Sequence, residues 1–149
     1  MHTSFFVSKG VSAPAEARRE MRARLGQTIS ARDVDDVELL LSEVVTNAVR
    51  HGTGRAMDPL AIRADIIDRS VTLEVEDSGG GSARVTPQPE PERDGDPHGF
   101  GLFLVDELSA SWGVERCERG SYVWFQMDHD ADSLRPSAAA IQDHCAPAT

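Results

Sequence analysis

The feature that most constrains the fold is a long amphipathic segment at residues 33–51. Its apolar side chains recur at helical spacing and form one stripe, made of Val37, Leu40, Leu41, Val44, Val45 and Ala48. Asp33 stands where a helix N-cap is expected, and Gly52 and Gly54 follow the last turn. The sequence therefore predicts a helix that buries one face against a second layer.

The remaining patterns place further elements before and after this helix. Alternation of apolar and polar residues predicts strands, and Pro14 suits the first turn of a preceding helix. In chain order we predict a strand at 5–7, helices at 15–29 and 33–51, strands at 60–67 and 71–76 joined by a turn at 68–70, a helix at 102–108 that opens just after Gly101, and strands at 111–115 and 121–127. Helices followed by strand pairs predict a two-layer α/β sandwich, with helices on one face of a mixed or antiparallel sheet.

Composition narrows the classes of partner. The chain of 149 residues suits one domain, and its formal net charge of -10 opposes binding to nucleic acid or to anionic membranes. We expect no secretory leader, and no apolar run approaches the ~20 residues that span a bilayer. Cys117 and Cys145 form no C-x-x-C motif and are expected to be free thiols, so we expect a cytoplasmic protein.

The amphipathic helix also carries a polar stripe. Glu43, Asn47 and His51 recur every four residues, and Arg50 lies seven residues after Glu43. Spacing alone is compatible with a solvated polar face. Spacing favours that polar face over a site, but an Asn in mid-helix has a mild propensity cost, which slightly favours a role for Asn47, such as an oxygen ligand for Mg²⁺.

Two glycine-rich motifs follow. Asp77 ends a predicted strand and precedes Gly79 and Gly81, whose lack of a side chain allows a ligand to approach the backbone. The second motif, Gly99-Phe100-Gly101-Leu102, stands at the start of a predicted helix, where exposed N–H groups favour a phosphate. Each motif alone also fits an ordinary turn, and neither is a Rossmann fingerprint or a Walker phosphate loop.

The order of these motifs resembles the GHKL superfamily of ATPases, over residues 3–127. The matching boxes are Glu43-x-x-x-Asn47, Asp77-x-Gly79-x-Gly81 and Gly99-x-Gly101-Leu102. Within the superfamily the chain looks most like the bacterial anti-sigma-factor serine kinases, because their first box reads much like residues 42–52 here.

The resemblance implies a role for each matched residue. Glu43 would be the general base, Asn47 would hold Mg²⁺, and Asp77 would accept a hydrogen bond from the adenine amino group of ATP. Residues 82–98 would form the ATP lid. The other ATP-binding positions implied are Arg50, His51, Gly79, Gly81, Arg93, Gly99, Phe100, Gly101, Leu102 and Ser121.

The chain departs from the family pattern near the phosphates. Family members often carry Arg or Lys near the second glycine box, where this chain has Pro97 and Phe100, so that Arg93 is the nearest upstream substitute. Tyr122 replaces a small hydroxyl residue, and only Ser121 keeps one. Four prolines also stiffen the lid. These departures bear on the rate of phosphoryl transfer more than on ATP binding.

The resemblance implies a kinase that phosphorylates a serine of an anti-anti-sigma (STAS-type) protein and otherwise sequesters a sigma factor, in a homodimer. One alternative is a nucleotide-gated binding module with little phosphoryl transfer. A histidine kinase catalytic domain is disfavoured, since we see no preceding helices with a phosphoacceptor histidine. We expect one domain at residues 1–127 and a disordered tail at 128–149.

Overall fold

The protein is described here by a computed structural model that covers residues 1–51, 58–77, 100–117 and 120–129. The predicted lid at 82–98 and nearly all of the predicted tail lie outside these ranges. The described elements follow the predicted order: β1 (His2–Val7), α1 (Ala13–Leu25), α2 (Ala31–His51), β2 (Leu60–Ile67), β3 (Ser70–Asp77), α3 (Phe100–Leu108), β4 (Ser111–Cys117) and β5 (Gly120–Asp128).

The described strands form one sheet in the order β1-β2-β3-β5-β4, and every pairing is antiparallel. The helices pack against this sheet and against one another, which confirms the predicted α/β sandwich. A two-residue turn at Asp68 and Arg69 joins β2 to β3, because Ile67 pairs with Ser70. Asp68 has a φ of 54°, a left-handed conformation that Asp tolerates better than most residues.

The core lies between the sheet and the helices. The predicted apolar stripe of α2 is confirmed, since its members from Val37 to Val45 are at most 1% exposed and Ala48 packs against them. The core residues of β1, β2, β3 and β5 are spaced two apart along each strand, as the period of a strand requires. The largest fully buried side chains are Phe125, Met21, Leu25, Leu40, Leu41, Leu60, Ile62 and Leu73. No helix within the described ranges combines the length and the apolarity that a membrane span needs.

Helix α1 ends earlier than predicted, at Leu25 rather than at residue 29. Gly26 is a poor helix former and stands at the C-cap. The carbonyl of Leu25 then accepts from the N–H groups of both Thr28 and Ile29, at 2.8 and 3.2 Å. This tight turn still buries Ile29. The sequence pattern therefore contained a core residue at position 29, and the helix was predicted to continue to it.

The prediction that Asp33 caps α2 is wrong, because the helix begins two residues earlier, at Ala31. The backbone N–H of Asp33 donates to Ser30 Oγ at 3.2 Å, and this hydroxyl donates to Asp33 Oδ2 at 2.6 Å. Ser30 is therefore the capping side chain, in an arrangement close to a capping box. Asp33 lies in the first turn of the helix, where its negative charge interacts favourably with the positive end of the helix dipole.

Polar contacts join α1 to one flank of α2. Arg22 donates to Glu38 at 2.6 and 2.7 Å and to Asp35 at 2.5 Å, and these bonds, led by the one to Glu38, raise the pKa of its guanidinium. Arg18 donates to Ser42 Oγ at 2.9 Å. These contacts are on the surface, so they orient the helices more than they stabilise them.

Candidate functional site

Asp77 is the buried carboxylate of the candidate site. It is the last residue of β3 and is 2% exposed. The sheet register places it in a row with Val7 of β1, Leu60 of β2 and Ser121 of β5. Alternation along β3 places Asp77 on the same face as Val75, which faces the core. A polar group in this position needs partners, because burying an unpaired charge is costly.

Lys9 provides such a partner. Its ammonium donates to Asp77 Oδ1 at 2.5 Å, and the two side chains are only 7% and 3% exposed. The residues around Lys9 differ from it, since Ser8 and Ser12 are exposed and Val11 is fully so. Lys9 thus turns inward from a surface connection between β1 and α1.

Lys9 was missed by the sequence analysis, although one signal could have found it. It is the only lysine in the sequence, whereas the other 14 of the 15 basic residues are arginines. It also stands two residues after β1, at the same end of the sheet as Asp77. The contact itself joins residues 68 positions apart, so no local pattern predicts it.

Glu43 and Asn47 lie one turn apart on α2, and both are half-buried. Helical geometry places them about 100° and 140° around the axis from Ser42, which contacts α1. Their flank therefore faces away from α1. The hypothesis of a fully solvated polar face agrees with the exposed Arg50. It agrees less well with Glu43 and Asn47, which are half-buried. His51 is the last residue of α2.

Helix α3 begins at Phe100, earlier than the predicted opening just after Gly101. Gly101 and Leu102 accordingly lie in its first turn, where backbone N–H groups lack partners within the helix. Val105 anchors the helix in the core. The predicted ligands Gly79, Gly81, Arg93 and Gly99 lie outside the described residues.

The register of β5 gives Ser121 and Tyr122 different positions relative to Asp77. Ser121 pairs with Asp77, whereas Tyr122 pairs with Glu76 and is 5% exposed. Because neighbouring residues of a strand face opposite sides of the sheet, Tyr122 belongs to the face away from Asp77. The substitution at Tyr122 therefore does not enter the surroundings of Asp77.

The described residues fit a magnesium–nucleotide complex in their chemistry. An ionised carboxylate only accepts hydrogen bonds, which suits the exocyclic amino group of adenine at Asp77. Amide and carboxylate oxygens are the protein ligands that Mg²⁺ prefers, which suits Asn47. Within the described ranges no three acidic, histidine or cysteine side chains gather as a metal site.

Comparison with known proteins identifies the class of protein. Residues 11–127 match the family model of the histidine kinase-like ATPase domain, and the chain belongs to this family. The matched range includes the candidate site residues Glu43, Asn47 and Asp77. The predicted GHKL membership is thereby confirmed.

Two curated proteins that the chain resembles in sequence are both named anti-sigma F factor. The chain is 38% identical over 87 residues to the anti-sigma F factor of Clostridium acetobutylicum, and 30% identical over 96 residues to that of Clostridium novyi (strain NT). These alignments cover 56% and 58% of this chain. They span 61% and 64% of the relatives, so less than two thirds of each relative's length is matched.

Solved structures agree on the fold. The structure of the RsbU and RsbW domains of Rv1364c from Mycobacterium tuberculosis superposes with a TM-score of 0.65 at 19% identity, over 87% of this chain and 32% of that one. The histidine kinase domain of the Erythrobacter litoralis EL346 blue-light activated kinase gives 0.54 at 21% identity, over 79% of this chain and 60% of that one. At such identities the similarity concerns the fold alone.

Proposed function

We propose that this protein is an Mg-ATP-dependent serine kinase that acts as an anti-sigma factor. It would phosphorylate a serine of an anti-anti-sigma partner and hold a sigma factor when that partner is absent. The observation that carries the proposal is the half-buried pair of Glu43 and Asn47 on α2, in a chain whose β3 ends in the buried Asp77. The relatives named anti-sigma F factor support the choice of partners.

Each residue has a distinct part in the proposed reaction. Asp77 accepts a hydrogen bond from the adenine amino group, and the amide oxygen of Asn47 is a ligand for the magnesium ion that the phosphates carry. Glu43 takes the proton of the partner's serine hydroxyl as its oxygen forms a bond to the γ-phosphorus. The bond from that phosphorus to the bridging oxygen breaks, and ADP leaves with the electron pair.

The proposal predicts that Glu43→Ala separates binding from transfer. Positioned proton transfer typically contributes about 10²–10⁴-fold to rate, so the variant should lose most transfer and keep most ATP affinity. Asn47→Ala should lose the magnesium-dependent part of the affinity as well. The measurements are ATP titration by calorimetry, with and without Mg²⁺, and single-turnover phosphorylation of the partner recovered from native extract.

A matched control is available on the same flank of α2. Asp36 is also acidic and half-buried, and it lies seven residues, or about two turns, before Glu43. Asp36→Ala should therefore leave both affinity and transfer near wild type. Transfer by Glu43→Ala at the wild-type rate would remove the catalytic role from Glu43.

The sequence around α3 favours a second candidate, a nucleotide-gated binding module. Pro97 and Phe100 stand where family members often have a cation near the γ-phosphate, and losing such a cation can slow phosphoryl transfer by orders of magnitude. The single-turnover assay separates the two candidates. A wild-type protein that binds ATP and retains its partner but transfers no phosphate would be the binding module.

A further inference from the structure

Lys9 has no part in the proposed kinase chemistry, yet it is buried against the carboxylate that the proposal assigns to the nucleobase. We propose that Lys9 is the positioning residue of the nucleobase site, which holds Asp77 as an oriented anion and so selects a purine that offers an amino group there. The inference rests on the proposed function, because it needs Asp77 to meet the base. It concerns selectivity among nucleotides rather than phosphoryl transfer.

The architecture brings Lys9 to Asp77 by a definite route. Val7, Leu60 and Asp77 are register partners across β1, β2 and β3, so Val7 and Asp77 lie two strand spacings apart, roughly 10 Å. Lys9 follows Val7 by two residues, and its long side chain reaches back to Asp77 Oδ1. The surrounding connection is exposed, and the inward turn of this one side chain is therefore specific to the contact.

The identity of the cation supports a positioning role. Lysine is a compact charge that contacts one carboxylate oxygen, whereas arginine usually spans both oxygens with two parallel bonds. The chain uses arginine at every other basic position and lysine only at position 9. The ammonium is hydrogen-bonded to Oδ1, so it need not occupy the whole acceptor edge of Asp77.

The strength of the contact indicates that the base joins this pair and does not displace it. The bond from Lys9 to Asp77 carries a charge on both donor and acceptor, whereas a bond from the neutral adenine amino group would carry a charge on the acceptor alone. Displacement would also leave the ammonium of Lys9 buried without its carboxylate, which is costly. An ionised Asp77 accepts only, so it favours the amino group of adenine and opposes the carbonyl oxygen that guanine presents at the same ring position.

Removing the cation should therefore weaken selectivity. Without the ammonium, the carboxylate of Asp77 loses the donor that fixes Oδ1, so it can rotate away from the orientation in which it accepts from the adenine amino group. The same rotation lowers the penalty for the guanine carbonyl. Lys9→Met should consequently reduce the preference for ATP over GTP, whereas Lys9→Arg, which keeps the charge, should retain part of it.

The experiment is a calorimetric titration with three nucleotides in the presence of Mg²⁺: ATP, GTP and purine riboside triphosphate, which lacks the amino group. Wild type should bind ATP about ten- to a hundredfold more tightly than the purine analogue, and GTP no better than the analogue. In Lys9→Met both ratios should fall severalfold or more. Arg63→Met removes a cation from ion pairs on β2 and β3, and it should leave both ratios unchanged.

Each outcome decides a separate question. If wild type binds none of the three nucleotides, the proposed function fails and the inference fails with it. If Lys9→Met binds ATP more tightly than wild type, Lys9 competes with the base and the inference is overturned. Unchanged ratios together with lower stability would make Lys9 a structural residue only, while nucleotide binding would stand.

A second measurement needs no variant, because the sequence contains a single lysine. The wild-type protein is treated with an amine-reactive acetylating reagent, with and without saturating Mg-ATP, and acetylation of the Lys9 ε-amine is quantified by mass spectrometry from fragment ions that distinguish it from the α-amine of Met1. If the pair persists when the base binds, ATP should leave acetylation of Lys9 equally slow or slower. Faster acetylation in the presence of ATP would overturn the inference, even if Lys9→Met did not fold.

Discussion

The Lys9–Asp77 pair should behave as a buried ion pair whose two members depend on each other. The side chains are 7% and 3% exposed and lie 2.5 Å apart, so solvent screens them little. Removing one member of such a pair typically costs about 3–5 kcal/mol, because the remaining charge is left buried and unpaired. That is a large part of the roughly 5–15 kcal/mol by which domains are stable. Lys9→Met and Asp77→Ala should each lower Tm by roughly 10–15 °C.

The double variant tests the cause of this loss. With both charges absent, no buried ion remains, so Lys9→Met combined with Asp77→Ala should be no less stable than the worse single variant. Urea unfolding followed by far-ultraviolet circular dichroism gives the four free energies of unfolding. Strictly additive losses, or single losses below about 1 kcal/mol, would refute the reasoning.

A control for this comparison of single and double variants lies on the opposite face of the sheet. Arg63 contacts Glu76 at 2.8 Å and Glu74 at 3.6 Å, but its side chain is 32% exposed. Water therefore screens this pair and can solvate whichever charge remains. Arg63→Met should cost no more than about 1 kcal/mol, despite a similar contact distance.

Three further substitutions test the packing that supports the site. Gly113→Ala should cost about 1–3 kcal/mol, because the new Cβ would lie 2.8 Å from the indole nitrogen of Trp124, and the displaced ring should alter tryptophan fluorescence. Ser30→Ala should cost about 1 kcal/mol in urea unfolding, since α2 loses its cap, whereas Asp33→Ala should cost less. Phe125→Ala should cost about 3–5 kcal/mol by the same measurement, since this side chain is 0% exposed and lies in the core.

Local patterns predicted the elements well. The apolar stripe of α2 is a property of neighbouring residues, and the alternation at residues 60–67 predicted β2 to the residue. The ends of the helices were predicted less well because they depend on single side chains. Ser30 and Asp33 can both cap a helix, and only the hydrogen bond between Asp33 N–H and Ser30 Oγ distinguishes them.

In the candidate site, too, some residues follow from local sequence patterns and others depend on the tertiary structure. Glu43, Asn47 and Asp77 could be chosen as candidates because each lies in a short motif. The partner of Asp77 could not, since it depends on β1 and β3 both flanking β2, a matter of strand order. The different surroundings of Ser121 and Tyr122 likewise follow from register, which no single-sequence pattern fixes at that point.

The location of Lys9 bears on how binding and phosphoryl transfer are related in this chain. If Asp77 meets the base, the ammonium on Asp77 Oδ1 belongs to the base end of the nucleotide. It cannot then replace the cation that Pro97 and Phe100 leave out near the γ-phosphate, because the base and the terminal phosphate lie at opposite ends of ATP. The chain would thus supply a cation for selecting the nucleotide, whereas a cation for transfer must come from elsewhere, such as Arg93 or the partner protein. Arg93→Ala should slow single-turnover transfer without changing the ATP-to-GTP preference, and Lys9→Met should change that preference in protein that still transfers phosphate. Equal effects of both variants on both quantities would contradict this separation.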